Sequence, residues 1–148
     1  MSKIKVQSPI EHLPSFEEYR LSGTQLSFLL SSLGLETPLG LLDNWYYYTD
    51  SEGWGKILEN LIFKSSLYSA NKFDCENYAL KAMNLCTEKY GLNCFGVAIG
   101  DMPMGRHGFN IFYDGEYFLL WEPNEGFPFS GSAFEIGNYG YTPEIILI

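Results

Sequence analysis

Between residues 74 and 91 the apolar positions recur with helical spacing. Cys75, Tyr78, Ala79, Ala82, Met83 and Cys86 stand at offsets 0, 3, 4, 7, 8 and 11, one stripe suited to facing a core. Asp74 precedes that stripe as an N-cap able to accept an orphan N–H of the first turn. Gly91 follows Lys89 and Tyr90 as the stop. A second helical pattern starts near Glu52, with Trp54, Ile57, Leu58, Leu61 and Ile62 at i, i+3, i+4, i+7 and i+8. Further upstream, Pro14 and the run SFEEYRLSGTQLSFLLSSLG predict one or two short helices ended by Gly34 and Pro38. Tyr19, Leu26, Leu29, Leu30 and Leu33 share one face there. The aromatic stretch from Trp45 to Tyr48 between these patterns reads as an ordered loop or a short extended piece.

After Gly91 the period changes to that of strands. Cys94 to Gly100 (CFGVAIG) forms a short apolar strand, and DMPMGR is a loop. RHGFNIFY and EYFLLWE flank Asp114-Gly115, a strong hairpin signal. A turn-rich stretch, NEGFPFSGSAFEIGNYGY, leads to a final strand in PEIILI. Helices first and strands after define an α+β domain with a mainly antiparallel sheet. No repeat or linker interrupts the chain. The expectation is a single domain over 1–148, with 1–40 as a helical N-terminal extension and 43–148 as the core.

Composition narrows the function. The chain has 148 residues, 46% hydrophobic and 18% charged, which supports one buried core and argues against disorder. A net charge of -9 would repel a phosphate backbone, so nucleic acid is not an expected partner. No apolar run approaches the roughly 18 residues of a membrane span. The opening MSKIKVQSPIEHLPSF lacks the pattern of a signal peptide. Three cysteines, an odd count with no CxxC, argue against a disulfide framework, so a cytoplasmic location is expected.

The hairpin yields the most specific inference. With a two-residue turn at Asp114-Gly115, Tyr113 faces Glu116, Ile111 faces Phe118, Phe109 faces Leu120 and His107 faces Glu122, all on one side. Opposed Cβ atoms lie about 5 Å apart, so the carboxylate can fix the tautomer and orientation of the imidazole. Such a histidine calls for a nucleophile, and Cys75 fits. In the first turn of its helix the dipole and free N–H groups favour a thiolate and can hold an oxyanion. Cysteine at a helix start, with histidine and an acid on neighbouring strands, is the layout of papain-like cysteine peptidases.

The same residues carry a resemblance. FDCENYALKA, GRHGFNIFY and FLLWEPNEG resemble the papain-like (transglutaminase-like) peptidase domain at the C-terminal end of the Marasmius oreades agglutinin and its stand-alone relatives in microbes and phages. Cys75, His107 and Glu122 match the three motif positions, and Asp43-Asn44-Trp45-Tyr46 is similar to an upstream Asp-x-x-Tyr element. The likeness spans roughly Asp43 to Gly126. It implies a cysteine peptidase with a Cys-His-Glu triad acting on peptide or protein substrates. It also admits a calcium requirement, although the residues themselves require no cofactor.

Other readings bear on the same residues. Asn71, Lys72 or a backbone N–H alone could supply the oxyanion partner, and the segment from Trp45 could serve as groove wall or as core. Cys86 and Cys94 are expected in the core, and His12 at the surface. Four zinc ligands drawn from Cys75, Cys86, Cys94 and His107 fail on distance, since three helical turns put Cys75 and Cys86 about 16 Å apart. Asp43, Asp50 and Glu52 lack the spacing of a calcium loop. The same scaffold could also serve an acyltransferase, an amidase or a non-catalytic protein-binding module, and a homodimer is compatible with the sequence.

Overall fold

The computed structural model describes residues 13–148; His12 lies outside them. Strand β1 (Tyr19–Ser22) runs directly into helix α1 (Gly23–Ser32). Ser22 makes the junction: its Oγ accepts from Gln25 N at 3.2 Å while Gln25 Oε1 accepts from Ser22 N at 2.8 Å, a capping box. Strand β2 (Trp45–Tyr48) pairs antiparallel with β1. The expected helical extension is therefore corrected. Within residues 13–40 a strand precedes a single helix, and Leu21, Leu26, Leu30 and Leu35 belong to the same buried cluster as Phe109, Ile111 and Leu120. Burying those leucines against the sheet ties this stretch into the core.

Helix α2 (Ser51–Ile57) is capped by Asp50, whose Oδ1 accepts from Gly53 N at 2.9 Å, and continues as a 3-10 turn over Leu58–Leu61. Helix α3 (Cys75–Tyr90) starts and stops where its stripe predicts. Asp74 and Asn77 form a reciprocal cap, and Gly91 closes the helix at φ 69°, a left-handed position open to glycine.

Strands β3 (Phe95–Met102), β4 (Gly105–Tyr113), β5 (Phe118–Trp121), β6 (Phe134–Glu135) and β7 (Thr142–Leu147) form an antiparallel sheet ordered β6-β5-β4-β3-β7. Sequence periodicity missed β6, which has only two residues. One face of the sheet carries Phe109, Ile111, Leu120 and Ile146 beneath α1 and the β1–β2 pair. The other carries Phe95, Phe112 and Trp121 beneath Trp54 and Ile57 of α2 and Ala82 and Cys86 of α3.

The β4–β5 register corrects the predicted hairpin. Tyr113 pairs with Phe118 and Ile111 with Leu120, so the connection is the four residues 114–117 rather than a two-residue turn. Asp114 builds the longer loop, since its Oδ1 accepts from both Glu116 N at 2.8 Å and Tyr117 N at 2.7 Å. The slip is by two residues, which preserves the facing of every side chain. His107 and Glu122 consequently stay on one face, but diagonally related instead of directly opposed.

Candidate active site

Three local structures converge at one end of the sheet. Cys75 is the first residue of α3, half-buried, and its thiol donates to Glu76 Oε2 at 3.4 Å. His107 lies near the start of β4 and Glu122 just past the end of β5, and both are buried. His107 Nε2 stands 2.7 Å from Glu122 Oε2. With Nε2 engaged, Nδ1 is the ring nitrogen left for sulfur. Cys75 and His107 line one cleft of about 270 Å³, with Tyr68, Asp74, Met102, Met104, Arg106, Asn124 and Phe127 around them.

Helix and strand meet closely because of Gly108. A Cβ at that position would fall 3.0 Å from Glu76 Cα and 3.1 Å from Glu76 N, so a larger residue would push the start of α3 off β4 by a few tenths of an ångström. Two residues on, the buried Asn110 donates through Nδ2 to Ala79 O of α3 and to Gly96 O of β3, both at 2.9 Å. The helix is thereby fixed in height and angle against the strand that carries His107.

Electrostatics follow from burial and partners. Burial alone would push the His107 imidazole down. The hydrogen bonds with Cys75 and Glu122 and their negative charge outweigh it and raise the group to about 9. Beside the sulfur, Asp74 is held above the usual carboxylate range, chiefly by its hydrogen bond with Glu76, then by burial and Glu76's charge. Glu76 is held below it by the same hydrogen bond and its own backbone N–H. Cys86 and Cys94 are buried in the core; desolvation pushes both thiols up, Cys94 to about 12.

The remaining sequence candidates lie elsewhere. Asn71 sits exposed at φ 59° at the tip of a turn closed by mutual hydrogen bonds of Ser69 and Phe73 at 2.8 Å, with Lys72 exposed beside it, and neither lines the cleft. Trp45 is exposed beneath the Arg20 guanidinium, 4.4 Å from its ring centroid, and is not part of the cleft either. Tyr46 of the Asp-x-x-Tyr element is buried; its hydroxyl accepts from Asp43 N at 3.0 Å and donates to Ile148 O at 3.3 Å. Among the described residues no three His, Cys, Asp or Glu side chains gather as metal ligands.

Sequence reasoning missed Gly108, Asn110, Tyr68, Met102, Met104, Phe127 and Tyr141. A glycine and an asparagine on alternate positions of an apolar strand are the legible signals for the first two. The cleft residues come from loops and strand ends, where no periodicity marks them.

No family model and no curated protein sequence matches the chain. A solved structure titled "PSL1a-E64 complex", E64 being a cysteine protease inhibitor, aligns with a TM-score of 0.60 at 18% identity, covering 87% of this chain. This chain spans about half of that one, 50% of its length. The domain therefore has a papain-like α+β fold, in which α3 packs on an antiparallel sheet. No helix of the described residues is long and apolar enough to cross a membrane.

Proposed function

We propose that the domain is a papain-like cysteine peptidase using Cys75, His107 and Glu122 as a triad. One observation carries this. A cysteine at a helix start shares a cleft with an imidazole whose far nitrogen is gripped at 2.7 Å by a buried carboxylate. The three ordered motif segments support kinship with the agglutinin peptidase domains, and the neighbour in complex with a cysteine protease inhibitor supports the chemistry.

The steps follow from the geometry. His107 Nδ1 takes the proton of Cys75, and the thiolate attacks the carbonyl carbon of the scissile amide. The Cys75 N–H has no acceptor within its own helix, so it can donate to the oxyanion together with the positive end of α3. Collapse breaks the C–N bond, and the imidazolium gives its proton to the leaving amine. Water, deprotonated by the same imidazole, then hydrolyses the thioester. Tyr68, Met102, Met104 and Phe127 give the cleft apolar walls, so the substrate presents an apolar side chain next to the scissile bond. Free cysteines at 75, 86 and 94 suit a reducing compartment such as the cytoplasm.

Cys75→Ala should abolish hydrolysis of a casein-type substrate while thermal unfolding stays within a few degrees of the parent. Iodoacetamide near neutral pH should label Cys75 ahead of Cys86 and Cys94. Retained hydrolysis in the variant, or a Cys75 no more reactive than the two core thiols, would overturn the reading and leave a non-catalytic module.

A further inference from the structure

We propose that Tyr141 is a positioning residue of this centre, holding Glu122 in the orientation from which it grips His107. The inference rests on the triad reading above and extends it to a fourth side chain, brought from the segment that leads into β7.

The hydrogen bonds converge on one atom. The Tyr141 hydroxyl donates to Glu122 Oε2 at 3.0 Å, the same oxygen that faces His107 Nε2 at 2.7 Å. Asn124 N occupies the other oxygen, Oε1, at 3.1 Å. Glu122 is 1% exposed, so these three donors replace the water that would otherwise solvate its charge. Removing the hydroxyl takes one of two donors from the oxygen that does the gripping.

Tyr141 is also held rigidly. It is fully buried, and its ring packs edge-on against Phe109 at 5.0 Å, Phe134 at 5.0 Å and the His107 ring itself at 5.9 Å. Its backbone is pinned by Gly137 N donating to its carbonyl at 2.8 Å and by its own N–H donating to Asn138 O at 3.1 Å. Burial, and after it the charge and hydrogen bond of Glu122, push the phenol well above its usual range, so it remains an O–H donor at every working pH. A tyrosine kept only for packing would need neither the hydroxyl nor its aim. Phenylalanine fills the same cage.

The test uses the full chain and needs no identified substrate. Iodoacetamide alkylation of Cys75 is followed from pH 4 to 10 in the parent and in Tyr141→Phe. The titratable and charged groups facing the centre are Cys75, Asp74 and Glu76 from α3 and its cap, Tyr68 ahead of that cap, Arg106 and His107 from β4, Glu122 after β5 and Tyr141 before β7. Without the phenol, the oxygen that faces His107 keeps one donor of two and the carboxylate is free to turn, so the imidazolium is held less firmly beside the sulfur and supports the thiolate less. The acid limb should therefore move up by roughly half a pH unit or more, and the plateau rate should fall roughly tenfold or less. Site-specific 3-fluorotyrosine at 141, a stronger donor of nearly equal shape, should move the limb the opposite way, which keeps the test available should Tyr141→Phe fail to fold. Superposable profiles for parent and fluorotyrosine protein, or for parent and Tyr141→Phe, overturn the proposal. A parent whose Cys75 shows no such limb overturns the triad reading instead, so the two failures are distinct.

Discussion

Gly108→Ala isolates the contact between helix and strand from the chemistry it supports. The new Cβ would meet Glu76 Cα at 3.0 Å, Glu76 N at 3.1 Å and Cys75 C at 3.4 Å. Ordinary carbon contacts begin near 3.5 Å, so the first is short by about half an ångström. The two tight contacts are with backbone in the first turn of α3, with no flexible side-chain end to swing aside. Either β4 bows or the helix start retreats. Overpacking of this kind costs about 1–3 kcal/mol, offset by about 0.5–1 kcal/mol from the lower backbone freedom of alanine in the unfolded chain. A net loss of about 1–2 kcal/mol lowers the unfolding midpoint by roughly 3–6 °C for a domain of this size. The sulfur moves with the helix. Since a misplacement of about 1 Å can cost a hundredfold in rate, half of that lowers Cys75 alkylation at neutral pH roughly tenfold. Gly55→Ala is the control, because nothing lies within 4 Å of its Cβ in α2, and it should leave both readouts unchanged or raise the midpoint slightly. Parent-like alkylation and melting in Gly108→Ala would refute the claim that this glycine sets the distance between Cys75 and His107.

Two further outcomes are expected. Asn110→Ala removes two buried hydrogen bonds and leaves a cavity between α3 and β4, so it should destabilise the domain by about 2–3 kcal/mol in urea unfolding; a loss under about 0.5 kcal/mol would remove Asn110 as the tie between them. His107 should titrate near 9 by carbon-detected NMR, and Glu122→Gln should bring it down by removing a negative charge and an acceptor; an unmoved titration would uncouple the pair. Because that folded value lies above the unfolded imidazole value of about 6.5, the contribution of His107 to stability is complete below about pH 6.5 and is lost as pH rises through about 9.

The placement of Cys75, His107 and Glu122 could be read from the chain because the signals were local. Capping chemistry and the apolar stripe placed Cys75 at a helix start, and alternation along β4 and β5 put His107 and Glu122 on one face. The hairpin loop was misjudged at Asp114-Gly115, where the Asp114 carboxylate captures two backbone N–H groups and recruits Glu116 and Tyr117 into the turn. That error was harmless to the pairing of functions, since a slip of two preserves the face while a slip of one would have separated them. Asn71 was chosen by proximity in sequence, yet it sits exposed on the turn closed by Ser69 and Phe73 and does not line the cleft. Tyr141 was beyond reach for a different reason. Its relation to Glu122 spans 19 positions and a short strand, β6, too brief to announce itself.

The burial of the His107–Glu122 pair bears on why the site exists at all. Two ionisable groups taken out of water gain little net stability, and apolar residues of similar size commonly do as well or better. The neighbouring inward positions on the same face show what this sheet does where stability is the only demand, for Phe109, Ile111 and Leu120 fill them with hydrocarbon. At the cleft end the pattern breaks. An acid, an imidazole and a phenol occupy the next places, and Asn124 N completes the shell around the carboxylate. Desolvating these groups is costly, and the arrangement leaves His107 with one nitrogen for the sulfur and the other spoken for. A packing role accounts for none of that asymmetry, whereas the proposed base, taking a proton from Cys75 on one side while held on the other, would call for it.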